Sequence, residues 1–301
     1  MKNWVKRFNE SHPFCIPIVL YIATWLSTFG VGYWGYGGGS ARLAFAYSAP
    51  LMIILTVHEL GHYLQARRYG VPSSMPLFIP IPFLPLGTFG AVIRLRGQFR
   101  NRRALFDIGA SGPLAGLVAS LIFLVVGLKL SHYLPCEAYE SPCREAVAFV
   151  GDWGVFLFGE PLIFQWLERL ICGVPERSSI LVIHPTAIAA WVGVLLTTLN
   201  LFPVGQLDGG HVLYALIGSR SKWFSRIFYG VGVVALIAFR AWQWVLFALI
   251  LAGIRLQHPS TQDDARSLGC ARAAVGSALL AFVAIGFTPT PLRILDALAR
   301  V

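Results

Sequence analysis

Apolar residues gather along this chain in six or seven runs, most near the ~20 residues that cross a bilayer as a helix. The runs lie at about 14–34, 41–66, 107–130, 184–202, 227–239, 242–254 and 269–287. The pair at 227–239 and 242–254 is short, so it reads either as a hairpin of spans or as one broken element. The first run follows Lys2, Lys6 and Arg7 and has no small-residue cleavage site, so it reads as a span rather than a removed signal. This pattern predicts an all-α polytopic membrane protein with about six to seven transmembrane helices. It forms one integral domain over 1–301, with no separate soluble domain.

One apolar stretch breaks the helical pattern. Between Val71 and Leu86 stand Pro72, Pro76, Pro80, Pro82 and Pro85, which forbid a continuous helix. Non-helical backbone at membrane depth needs protein or a wet cavity beside it. The stretch therefore predicts a re-entrant loop or β-hairpin after the second span, or else a proline-rich interfacial loop. Gly87 to Gly90 make a turn, and the alternation from Ala91 to Arg96 suggests an edge strand. Such an edge can hold a substrate in extended form, which makes Ala91 and Ile93 candidate substrate contacts.

Composition agrees: 56% of the residues are hydrophobic and 13% are charged, too few charges for a soluble chain of this size. The net charge of +10 does not indicate nucleic acid, because the arginines alternate with spans instead of forming a stripe. Arg67 to Arg103 holds seven arginines and no acid, which marks a cytosolic connection. Between about 131 and 183 the balance reverses to seven acids against three arginines, which marks an external loop. That loop carries Cys136, Cys143 and Cys172; the first two are either a disulfide or free thiols, depending on the compartment. Within it, 160–172 has the spacing of an interfacial helix.

The chemistry lies in the second run. His58-Glu59-Leu60-Gly61-His62 puts two imidazoles one helical turn apart with a carboxylate beside the first. Ionisable groups cost about 2.5 to 3.5 kcal/mol each in hydrocarbon, so their presence argues for function. Two histidines suit zinc, three protein ligands leave a fourth position for water, and Glu59 is placed as the base. The third ligand is expected from Asn200-Leu-Phe-Pro-Val-Gly-Gln-Leu-Asp-Gly-Gly-His211. There Pro203, Gly205, Gly209 and Gly210 are expected to break the helix around Asp208 and let its carboxylate reach the metal. His211, one turn further on, is a rival ligand.

At these motifs the chain resembles the site-2 protease family of intramembrane zinc metalloproteases. The resemblance is carried by His58 to His62 and by Asn200 to Pro203 with Leu207 to Gly210. Gly87 to Ala91, Ala110 to Gly116 and His258-Pro-Ser resemble its bacterial and plastid branch. It implies cleavage of a transmembrane protein substrate within the lipid bilayer, with zinc on His58, His62 and Asp208 and with Glu59 as general base. Asn200 and Pro203, in one motif, are implied to bind substrate, Asn200 by meeting the substrate backbone or the developing oxyanion; alternatively Asn200 caps the broken helix. The chain leaves no stretch for a PDZ domain, so selection is expected to rest on the loops, an adaptor or a homo-oligomer. A bacterial plasma membrane is the expected location, with the site near its cytosolic face. The competing readings are a divalent-metal transporter and a non-catalytic client-binding relative. The first lacks an internal repeat, and the second has no need to keep Glu59.

Overall fold

The computed structural model describes residues 14–95, 97–135, 147–151, 154–173, 179–253, 256 and 258–295. Its frame is helical. Helix α1 (Cys15–Val31) widens into a π turn at Gly32–Tyr36, and α2 (Ala41–Arg68) returns alongside it. A two-stranded antiparallel hairpin follows, β1 (Leu77–Pro80) and β2 (Thr88–Val92), and then α3 (Arg102–Lys129). Helix α2 begins where Ser40 accepts the Leu43 N–H, and α3 begins where Asn101 accepts the Ala104 N–H.

The acidic loop expected at 131–183 folds into strands, which corrects the all-α expectation. Strands β3 (His132–Pro135), β4 (Val147–Gly151), β5 (Gly154–Phe158), β6 (Ser179–Val182) and β7 (Leu292–Leu295) form one sheet in the order β3-β6-β4-β5-β7. Two of its strands come from sequence positions far apart, so no local alternation announces it. Helix α4 (Leu162–Ile171) lies in this region, where an interfacial helix was expected. Cys136 and Cys143 lie outside the described residues.

The chain then enters α5 (Pro185–Asn200), turns, and continues as α6 (Asp208–Ile217) and α7 (Ser221–Ala238), joined by a 3-10 turn at Gly218–Arg220. Arg240, at φ 51°, reverses it into a short α8 (Val245–Gly253), and α9 (Cys270–Gly286) closes the bundle. Among the described residues four stretches are long and apolar enough to cross a membrane: 15–36, 41–68, 102–129 and 208–238. The helices at 185–200, 242–253 and 270–286 are apolar but shorter, so length alone does not reach six or seven spans. Ile18, Leu26, Val118, Ile122, Val126, Val231 and Val234 are exposed, a belt that water would not tolerate and lipid covers.

Helices α2, α3 and α5 pack as the centre. One apolar cluster, with Tyr47, Leu51, Leu128 and Trp191, lies toward the five-stranded sheet, and a second, with Ala66, Leu105, Ile108 and Val212, lies toward the arginine-rich ends. The β1–β2 hairpin reaches between them. Its tip is bound by Tyr36 Oη to the Pro85 carbonyl (2.7 Å) and by Tyr47 Oη to the Leu86 carbonyl (2.8 Å). Tyr47 is 21 residues from Arg68, about 31 Å of helix. The hairpin that leaves the arginine end of α2 therefore penetrates nearly its whole length, as a re-entrant element.

Candidate metal centre

His58, Glu59 and His62 are buried on α2, at 4%, 5% and 7% exposure. Asp208 arrives from the first turn of α6. The turn before it bends sharply: Val204 N–H reaches the Phe202 carbonyl and Leu207 N–H the Val204 carbonyl. Gly209 and Gly210 do not break a helix, as the sequence suggested, but begin one. A Cβ on Gly209 would stand 1.9 Å from the Leu201 carbonyl oxygen, so only glycine lets the returning chain lie against the end of α5.

Three ligand atoms converge. His58 Nε2 and His62 Nε2 each lie 3.2 Å from Asp208 Oδ2, and 3.2 Å from one another. His62 Nδ1 is 2.7 Å from the Ile108 carbonyl oxygen, which only accepts, so Nδ1 carries the proton and Nε2 of the neutral ring presents a lone pair. Lone pairs held this close repel unless a cation sits among them. Ligand atoms on a tetrahedral zinc at ~2.0 Å stand about 3.3 Å apart, so the donor set and its spacing fit that ion. The three residues are the group among the described residues that can hold a metal. Glu59 has no hydrogen-bond partner among the described residues, so its carboxylate is uncommitted beside them.

Helix α3 makes room for this cluster. A Cβ on Gly112 would stand 2.1 Å from His62 Nε2, and one on Gly116 2.8 Å from His58 Nδ1. In the sequence these small residues read as a packing feature, with nothing that ties them, or the Ile108 carbonyl, to the histidines. The spacing from Ile108 to Gly112 and Gly116, one helical turn each, is the signal that was there.

The other candidates are dispersed. His211 turns away from the cluster and meets His258, its Nδ1 2.6 Å from His258 Nε2, so the rival ligand is not part of the group. Asn200, the last residue of α5, is half-buried and makes no side-chain hydrogen bond among the described residues, so it does not cap the broken helix. Pro203 is buried and its carbonyl accepts from Ser225, which gives it a place in shaping the turn. Ala91 pairs with Phe78 and packs on the core, whereas Ile93 is half-buried just past β2. Ile93 lines a cavity of about 410 Å³ with Arg94, Leu95, Phe99, Gln206 and His211, so the cavity borders the turn that carries Asp208.

Fold and site together define a polytopic helical membrane protein with a buried two-histidine, one-aspartate centre. The chain belongs to peptidase family M50, whose sequence profile matches residues 46–239 and so takes in both arms of that centre. It is 33% identical over 201 residues, 66% of its length, to "Probable zinc metalloprotease EGY2, chloroplastic" of Oryza sativa subsp. indica. It is 32% identical over 251 residues, 81% of its length, to "Probable zinc metalloprotease EGY1, chloroplastic" of Arabidopsis thaliana. The chain covers 34% of the first relative and 42% of the second. No solved structure is a significant match.

Proposed function

We propose that this chain is an intramembrane zinc metallopeptidase that hydrolyses a peptide bond within or beside a transmembrane segment of a membrane-protein substrate. The observation that carries the reading is the buried convergence of His58, His62 and Asp208 beside Glu59, in a chain of family M50. The relatives' naming as probable zinc metalloproteases supports it. That same description, chloroplastic, lends no support to a bacterial plasma membrane, and the reading is confined to an integral membrane protein.

His58, His62 and Asp208 would hold the zinc, which when bound would supply a Lewis acid for the scissile carbonyl and a water of pKa about 7. The Ile108 carbonyl fixes the His62 ring and its tautomer. Glu59 takes the proton as the water oxygen bonds to the carbonyl carbon, and delivers it to the amine nitrogen as the C–N bond breaks. A helical substrate hides its carbonyls, so it must unwind. The segment after β2 offers a template for the extended form. Arg94 turns both its N–H and its C=O to Ser74, so Ile93 directs its own pair to the opposite edge. Asn200, unbonded at the end of α5, is available to the substrate backbone.

The test is cleavage of a tagged single-span protein by the purified wild type and its variants, with zinc measured by elemental analysis. Glu59→Gln is expected to keep stoichiometric zinc and lose cleavage, by at least 10²-fold. His62→Ala and Asp208→Ala are expected to lose both. Cleavage by Glu59→Gln overturns the base, and full zinc in both ligand variants overturns the metal assignment.

A further inference from the structure

The fold brings His211 of α6 against His258, 47 residues later in the link before α9, and the hydrogen positions in this pair are determined. His258 Nδ1 lies 2.6 Å from the carbonyl oxygen of Pro259, which only accepts, so that nitrogen carries the proton. In the neutral ring His258 Nε2 is then a lone pair, and it lies 2.6 Å from His211 Nδ1. His211 Nδ1 must therefore be the donor. That leaves His211 Nε2 as a bare acceptor with no partner among the described residues, on a ring that lines the cavity beside the Asp208 turn. Burial holds the His258 pKa below the ordinary histidine range, which keeps its ring neutral and the chain of donors in this order.

The link that presents His258 is itself anchored. Tyr214 Oη and Thr261 Oγ1 donate to the two carboxylate oxygens of Asp264, each at 2.6 Å, and Gln262 N–H donates to the Phe99 carbonyl at 2.9 Å. Phe99 also lines the cavity and packs its ring against both histidines. The same cavity is lined by Ile93, whose backbone pair lies on the edge opposite the one through which Arg94 bonds Ser74.

We propose that His211 is a substrate-binding residue, with His258 as its positioning residue: His211 Nε2, oriented by His258, accepts a backbone N–H of the extended substrate segment lying in the cavity against Ile93. The proposal rests on the peptidase reading and names a contact that reading does not contain. The chemistry is selective in direction. A neutral imidazole nitrogen takes an amide donor, whereas an arginine or lysine at this position would take a carbonyl. His211 lies three positions after Asp208, so the contact falls next to the metal centre and fixes the register of the chain relative to it.

The test uses the full chain in the Glu59→Gln background, loaded with zinc, and a fluorescein-labelled single-span peptide of about 25 residues with a central helix-breaking Gly-Pro as probe. Its Kd is read by anisotropy. His211→Ala is expected to weaken binding roughly tenfold, the loss of one neutral hydrogen bond, with zinc unchanged. His258→Ala is expected to weaken it in the same direction. His258→Gln, whose Oε1 reproduces the acceptor that holds His211, is expected to restore it, which a merely structural role would not predict. In His211→Gln, which carries its own acceptor, adding His258→Ala is expected to have little further effect. Unchanged binding by His211→Ala, equal binding by His258→Ala and His258→Gln, zinc loss in His211→Ala, or no binding by the parent would each overturn the proposal. Separate failure of the wild type to cut, with the expected pattern of binding, would overturn the peptidase reading alone.

Discussion

Gly112 matters to the metal centre for what it lacks. Its missing side chain is the space that His62 Nε2 occupies, since a Cβ would stand 2.1 Å from that nitrogen, far inside contact distance. Gly112→Ala is therefore expected to tilt His62 out of the cluster and lower bound zinc severalfold, measured by elemental analysis. Helix content by circular dichroism is expected to stay near wild type, because alanine is the better helix former. Gly116→Ala, with a 2.8 Å approach to His58 Nδ1, is expected to do the same more mildly. At this scale the sequence was most legible. His58, Glu59, His62 and Asp208 were readable because ionisable side chains in apolar runs are costly without a use. Gly112 was not, because a glycine among small residues has a packing explanation that needs no ligand.

Helices α2 and α5 are tied together by a defect in one of them. Pro50, inside α2, has no N–H to offer the Ala46 carbonyl, and Thr186 Oγ1 from the first turn of α5 supplies the bond at 2.9 Å. Thr186→Val is expected to leave that half-buried carbonyl unpaired and cost about 1 kcal/mol, read from denaturant midpoints in detergent. The same turn is capped by His184, whose Nδ1 accepts the Thr186 N–H at 3.3 Å. Burial, and then the Arg42 charge, hold the His184 pKa below its ordinary value of 6.5. As pH falls through about 6.5 the unfolded chain takes the proton first, so stability is lost from there downward until the folded form also protonates. The melting temperature is expected to fall between pH 7 and pH 5, and His184→Asn, which caps without titrating, is expected to flatten that fall. An unchanged slope in His184→Asn would assign the pH dependence to other groups.

Over the whole molecule the charged and folded ends separate. Arg67, Arg68, Arg102 and Arg220 gather where α2 and α6 end and α3 begins, and the five-stranded sheet with α4 gathers at the opposite end. With the native cysteines replaced, a cysteine at Arg67 is expected to react with an impermeant thiol reagent from one side of a sealed vesicle, and one at exposed Leu170 from the other. Reaction of both from one side would overturn this arrangement. The sequence by itself determined that the chain is a polytopic membrane protein, which ionisable residues lie in its apolar runs, and that the proline-rich stretch is not a helix. These depend on local terms: hydropathy over a span, the cost of a buried charge, the missing N–H of proline. Only the tertiary structure decided that Asp208 joins His58 and His62 while His211 pairs with His258, because Asp208 and His211 lie within a turn of one another and only the path of the neighbouring helices separates them. The same holds for the sheet at the far end, whose β5 and β7 pair across more than 130 residues of chain. Contacts of that range are set by how the bundle closes, and no stretch of sequence records them.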